Sequence, residues 1–445
     1  MIGKAFKVIA TVLLVAIVAV LGYLIIAPPE LLRVATNYSA KIVCSNVFIA
    51  NRDADETLSV DVQAPGHPIL KYVSIQTDQN AQTVTAKLFG FLATAQSQHR
   101  EGVGCSNLHG SLPGSVNLSS IEPLAVSLWP QGSSVNLSQI PEVLNIVSDE
   151  AMLGEGYRAV VVVKNGRIIA ENYADGFDAE TPLLGWSMSK SVTAVIIGTL
   201  IKSGQMSLGD NLVDSFPEWG TDARKEITVE SMLAMSSGLD WNEAYGDVSD
   251  VIRMLFLNDD MAGYAARSKS GSEPGSVFNY SSGTTTLLAR AWQDRVGENS
   301  LGYPREKLFS PLGMTSAVME PDANNTFVGS SYMYANAHDW ARFGQFLMQK
   351  GVWDGKQLLP FGYTDWMFEP VESSDGKYTR GQLWRRVPGG KPPLEDAVWM
   401  SGHDGQSVGI FPSHNMVLVR LGLTPSKLGY SPRPLAEALI KALGN

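Results

Sequence analysis

The sequence predicts an α+β protein. Its main part is an antiparallel sheet flanked by helices, with a helical lobe inserted between the strands. A transmembrane helix and a small β-rich unit precede it. Three observations carry this reading. "YRAVVVVKNGRIIAENYA", residues 157–174, is two apolar runs joined at Asn165-Gly166, a strong hairpin signal. "SVGIFPSHNMVLVRLGL", residues 407–423, reads as two more strands around a turn at Ser413–Asn415. The sequence between these pairs is rich in short helical patterns and in Gly and Pro turns, so strands from both ends are expected to share one sheet.

The elements follow in chain order. From Val8 to Ala27 the chain carries no charge, and at about 1.5 Å per residue a helix of that length spans the roughly 30 Å of a bilayer core. Lys4 and Lys7 precede the run, which by the positive-inside rule puts the amino terminus in the cytoplasm and the other residues outside. A cleaved signal peptide is the rival reading. The run is long for one and no convincing small-x-small site follows it, so residues 1–27 are expected to be an uncleaved anchor in the inner membrane, with the main domain on the periplasmic side. Residues 28–127 read as the small unit, with alternating stretches such as "TLSVDVQA" and "QTVTAKLFGFLATA" taken as strands. Cys44 and Cys105 are the only cysteines. An even pair in an exported region predicts a disulfide over two separate buried thiols. Residues 128–139 read as a linker. From Ile140 the main domain runs to residue 445, with helices expected at "IPEVLNIVSDEAML", "AHDWARFGQFLMQKG" and "RPLAEALIKAL".

Composition narrows the functions. The chain is 44% hydrophobic and 18% charged, enough to bury a large core, and its formal net charge of −10 argues against a nucleic-acid partner. The six histidines are scattered and give no metal-ligand spacing, so no metal site is expected. Oligomeric state is not legible.

Three serine patterns compete for a nucleophile. Ser-x-x-Lys occurs at Ser187/Lys190 and at Ser374/Lys377. The second lies in a polar loop that would leave its lysine in water. "GQSVG", residues 405–409, matches a nucleophile elbow at Ser407, but a strand rather than a helix follows it, and no Asp or Glu lies between it and His414, the only histidine downstream. Ser187/Lys190 opens the apolar run "VTAVIIGTLI", read as a helix from Ser187 to about Gly204. Three residues apart on a helix, both side chains share a face. Unpaired N–H groups there favour a developing alkoxide, and burial pushes a lysine toward its neutral, basic form. Tyr280 in "VFNYSSG" has a hydroxyl that can relay protons, although alone it reads as a core tyrosine. His403, Asp404 and Gly405 stand at the start of a strand, where the small Gly405 would let a substrate approach the backbone. His338 and His414 read as a helix-surface residue and a turn residue.

Taken in order, "SMSK", "YSS" and "HDG" resemble the motifs of the serine β-lactamase-like hydrolases, which include class C β-lactamases, D-Ala-D-Ala carboxypeptidases, esterases and 6-aminohexanoate-dimer hydrolases. "MLAMSSGLDW" and "YMYANAHDWARFGQFL" resemble the aminohexanoate-oligomer hydrolases and related esterases most. The resemblance implies a β-lactamase/transpeptidase-like fold and an acyl-enzyme mechanism that needs no cofactor. In it Ser187 attacks, Lys190 helps activate it, Tyr280 exchanges protons, and the backbone N–H groups of Ser187 and Gln406 form the oxyanion hole. Two positions depart from the family pattern: His403 replaces a lysine, and Ser282 stands where many β-lactamases carry asparagine. Both are expected to line the substrate site with Gly405, His403 as a neutral hydrogen-bond donor beside Gln406. They favour a small ester or amide over cell-wall-type substrates, which remain the alternative. A non-catalytic ligand sensor is a third reading.

Overall fold

The structure is a computed structural model that describes residues 2–110, 113, 114, 116–387, 394 and 396–444. The chain folds into two units.

The first gathers Met1–His99, Cys105–Leu112 and Ala244–Asp259. Its N-terminal helix Ile2–Ile26 contains the segment Lys4–Ile26, with a mean hydropathy of 2.9 and no part buried. It is long and apolar enough to cross a membrane. Pro28 and Pro29 end the run, and a second helix, Glu30–Phe48, follows at once. This helix packs on a four-stranded sheet of Val73–Asp78, Thr83–Leu88, Leu92–Arg100 and Gly104–Leu108. A Cys44–Cys105 disulfide staples helix to sheet, with the Cα atoms 6.1 Å apart. The helix Asp250–Leu257 packs against the same helix, with Phe256 edge-on to Tyr38 at 5.4 Å and Arg253 paired to Glu30 at 3.0 Å. Two expectations change here. "TLSVDVQ" is helical, not a strand: Thr57, Leu58, Asp61 and Val62 are its buried positions, at helical spacing, and Leu58–Gln63 forms a π-helix. The unit is therefore mixed α and β rather than β-rich.

The second unit is built on a five-stranded antiparallel sheet in the order Val398–Ser401, Ser407–Phe411, Met416–Gly422, Tyr157–Lys164, Arg167–Tyr173. The strand Met416–Gly422 joins the two ends of the domain, with Val417 opposite Val163 and Val419 opposite Val161. One face packs Val160, Val162, Trp399 and Leu418 against Val143 and Val147 of the helix Pro141–Val147 and Leu435, Ala436 and Leu439 of the helix Arg433–Leu443. The other face meets the helix Ala337–Met348, whose Gly344 lies so close that a Cβ would stand 2.6 Å from Val417. Burial on both faces explains why the strands read as continuous apolar runs.

Residues 128–139 are more than a linker. Ala125–Leu128 and Gly132–Ser134 form a parallel pair. The carbonyls of Pro130 and Gly132 accept from the buried Arg342, and that of Trp129 from Arg167. Strapped to two arginines, the segment folds with the second unit.

Candidate active site

The segment ahead of Ser187 is pinned on several sides. Leu183–Leu184 pairs with the strand Met333–Ala335, and the Gly185 N–H donates to the Met333 carbonyl at 2.8 Å. Trp186 then sits in the left-handed region at φ +48°, costly for a bulky side chain, with its ring held against Tyr332 and His403. Ser187 stands in the tight turn Trp186–Met188, and the α-helix proper is Ser189–Lys202, two residues later than the sequence predicts. The Ser189 hydroxyl donates to the Trp186 carbonyl at 2.6 Å. Ser187 remains partly exposed, while the helix behind it runs through the core.

Lys190 is 1% exposed. Its Nζ donates to Ser187 Oγ at 3.2 Å, to Ser282 Oγ at 2.9 Å and to the Ser330 carbonyl at 3.1 Å. Burial lowers its pKa to about 8 against an opposing pull from the Glu243 carboxylate. The ammonium also lies 4.7 Å from the centroid of the Tyr280 ring. Tyr280 packs against Tyr378 and Trp384, at 5.8 and 5.2 Å. Burial raises its pKa, Glu243 raises it further, and a hydrogen bond with Ser187 opposes both. So Ser187, Lys190 and Tyr280 meet at one point, from two stretches of sequence. The Tyr378 hydroxyl beside them is fully buried and has no hydrogen-bond partner among the described residues.

Ser282 is not placed as a substrate-lining residue. It is fully buried at the start of the helix Ser282–Val296, between Lys190 and Glu243. The sequence reading missed Glu243. Its carboxylate accepts from Ser282 Oγ, from the Ser282 N–H at 2.8 Å and from Trp241 Nε1 at 2.6 Å. Only its place just after "SSGLDW" hinted at it.

The opposite wall is the turn between the strands Val398–Ser401 and Ser407–Phe411. Gly402 comes so close to Gly185 that a Cβ there would lie 2.2 Å from the Gly185 carbonyl oxygen. The Gln406 side chain is locked into the sheet, its Oε1 accepting from the Gly422 N–H at 2.9 Å and its Nε2 donating to the Gly422 carbonyl. Its own carbonyl accepts from the Gly402 N–H at 2.9 Å. With the side chain and the carbonyl occupied, the backbone N–H is the remaining polar group of Gln406. Gly405 has a different reason to be glycine from the expected one. It sits at φ +81°, and a Cβ would point at Arg420 Nη1, 2.9 Å away, rather than toward a substrate. His403 lies in the turn, not on a strand. Its ring stands edge-on to Trp186 at 5.8 Å, and its Nε2 is 3.4 Å from Asp404 Oδ1.

The competing serines lie elsewhere. Ser374 is buried in its own loop, donating to the Val371 carbonyl, while Lys377 pairs with Asp375 in water. Ser407 is buried at the head of a strand. His338 is not on a helix surface. Its helix is buried through Leu347, and His338 Nε2 lies 2.6 Å from Glu171 Oε2. His414 lies in the tight turn Pro412–His414. Among the described residues no group of His, Cys, Asp and Glu is arranged to hold a metal ion.

With this fold and this serine–lysine–tyrosine cluster in view, the comparison with known proteins defines the class. Residues 156–430 match the family described as Beta-lactamase, and the chain belongs to that family. Among named relatives it is similar to the 6-aminohexanoate-dimer hydrolase of Paenarthrobacter ureafaciens, 24% identical over 300 residues that cover 60% of this chain and 72% of the relative. A solved structure from Bacillus anthracis, provisionally named a 6-aminohexanoate-dimer hydrolase, aligns over 78% of this chain and 89% of its own at 22% identity, with a TM-score of 0.57. A family VIII carboxylesterase aligns over 70% of this chain and 99% of its own at 17% identity, TM-score 0.55. These structural likenesses show the fold.

Proposed function

We propose that this chain is a membrane-anchored serine hydrolase acting through an acyl-enzyme on small esters or amides. The observation that carries the reading is the buried Lys190 ammonium at 3.2 Å from the accessible Ser187 hydroxyl, with its pKa lowered to about 8. Neutral Lys190 takes the Ser187 proton as Oγ bonds to the substrate carbonyl carbon. The resulting oxyanion is held by the backbone N–H groups of Ser187 and Gln406. The proton passes by way of Tyr280 to the leaving alcohol or amine as the carbonyl–leaving-group bond breaks. Water then attacks the acyl-enzyme, gives up a proton to the same groups, and releases the acid and Ser187.

The similarity to a 6-aminohexanoate-dimer hydrolase supports an amide substrate, and His403 in place of a permanently charged lysine fits a substrate without a carboxylate. Lys4 and Lys7 before the apolar helix favour a cytoplasmic amino terminus, with the enzyme outside the inner membrane. The Cys44–Cys105 bridge suits an oxidising compartment. The deciding experiment is turnover by the purified chain of a matched p-nitrophenyl ester, a linear amide and a chromogenic β-lactam. Hydrolysis of the first two supports the proposal. A preference for the β-lactam overturns the substrate class, and no turnover of any favours a ligand sensor.

A further inference from the structure

We propose that Glu243 is a positioning residue of this site: through the Ser282 hydroxyl its carboxylate aims Lys190 at Ser187 and steadies the ammonium that forms there. The inference rests on Ser187 and Lys190 being the catalytic pair.

The argument begins with counting donors. A lysine ammonium has three hydrogens and no acceptor; a neutral amine has two hydrogens and one lone pair. Lys190 has three oxygen neighbours: Ser187 Oγ, Ser282 Oγ and the Ser330 carbonyl. To act as a base the neutral amine must give its two hydrogens to Ser282 and Ser330, which leaves its lone pair on Ser187. A carbonyl always accepts, but a serine hydroxyl can also donate. If the Ser282 hydrogen pointed at Lys190, it would capture the lone pair and leave Ser187 without a base. Glu243 prevents that. Its Oε1 takes the Ser282 hydrogen and turns the serine's acceptor side toward Lys190. The carboxylate is itself held by the Ser282 N–H and by Trp241 Nε1, so it cannot swing away cheaply.

The second effect is charge. When Ser187 loses its proton, Lys190 becomes a cation in a site from which water is excluded. Glu243 lies one hydroxyl away and offsets that charge. The other titratable groups facing Lys190 are the phenols: Tyr280 beneath it, and Tyr378 beside Tyr280. Both are neutral at ordinary pH, which leaves Glu243 as the compensating anion. Consistently, the carboxylate opposes the burial that lowers the lysine's pKa.

These roles predict an unusual result. Glu243→Gln removes the charge but keeps the shape. The ammonium loses support, so the lysine is neutral at lower pH. The acid limb of the pH profile should move down by about 1 unit, as expected for an opposite charge a few ångströms away. The plateau should fall by about tenfold or more, because an amide does not fix the Ser282 hydroxyl in one direction. Ser282→Ala keeps the charge and removes the relay, so its plateau should fall while its limb shifts less.

The readout is the second-order rate of labelling by a fluorophosphonate from pH 5.5 to 10, which needs no knowledge of the natural substrate. A lower plateau with an unmoved limb in Glu243→Gln would make Glu243 a packing residue and overturn the proposal. So would a wild-type profile. If Glu243→Gln does not fold, Ser282→Ala decides, and an unchanged rate in that variant overturns the relay. Labelling of the parent chain at a residue other than Ser187 is a separate failure, which overturns the catalytic pair itself.

Discussion

Replacing Gly402 with alanine tests the geometry across the cleft with a single methyl group. The Gly402 backbone is extended, with φ −117° and ψ 167°, so alanine adopts it without strain and only space is at issue. The new Cβ would stand 2.2 Å from the Gly185 carbonyl oxygen and 3.0 Å from the Gln406 Cβ. The first neighbour is backbone, which cannot rotate aside, so the two segments must part by about 1 Å to restore contact distance. Gly185 is two residues before Ser187, and Gly402 bonds the Gln406 carbonyl. The change therefore widens the gap between the two proposed oxyanion donors, which must each reach one oxygen at roughly 2.7–3.1 Å. Misplacement on this scale costs about 10²-fold in rate. Overpacking adds a stability loss of about 1–3 kcal/mol. The assay is kcat/KM on a p-nitrophenyl ester beside the thermal midpoint, with Gly209→Ala as control because a Cβ there meets nothing within 4 Å. The expected result is a fall concentrated in kcat, with the fold retained. A Gly402→Ala enzyme with parental kcat/KM would refute the argument that this close approach sets the oxyanion site.

Three further outcomes follow from the same structure. Only neutral Lys190 accepts a proton, so kcat/KM should climb with pH through about 8 and level above it, standing near one tenth of its plateau at pH 7; a profile flat from pH 6 to 9 speaks against a lysine base. His403→Lys places a permanent cation beside Trp186, and it should improve a carboxylate-bearing ester over a matched neutral one by up to tenfold, about 1.4 kcal/mol; an unmoved ratio means that position does not select by charge. Replacing Cys44 and Cys105 together by serine reopens a loop closed across 61 residues and should cost the first unit about 4 kcal/mol, read by denaturant unfolding of the oxidised parent and the variant.

What the sequence conveyed and what it hid have physical causes. The Asn165-Gly166 hairpin and the turn at Ser413–Asn415 were legible because turn chemistry is local, and both appear where expected. The serine–lysine pair was legible because one helical turn fixes its spacing. The helix Glu30–Phe48 was not. It is covered by the sheet and by a second helix, and it buries Thr36, Asn37, Ser39, Lys41, Ser45 and Asn46, so no apolar stripe marks it. In "TLSVDVQ", alternation and helical spacing coincide over too few residues to separate, and burial of Leu58, Asp61 and Val62 chose the helix. Nothing in the spacing of Arg342 and Asp339 on the helix Ala337–Met348 showed that they pair with each other at 2.8 Å inside the protein. Glu243 was hidden for a different reason: one acid in a loop carries no pattern, and its meaning arises only when folding brings Ser282 and Lys190 to it.

The most direct measurement of the central claim is the position of a covalent adduct. The purified chain is labelled with a fluorophosphonate, digested and mapped by mass spectrometry, beside Ser187→Ala, Ser374→Ala and Ser407→Ala. Modification of Ser187 alone is expected, lost only in Ser187→Ala, with the other two variants labelled like the parent. An adduct on Ser407, or labelling that survives in Ser187→Ala, would contradict the assignment of Ser187 as the nucleophile.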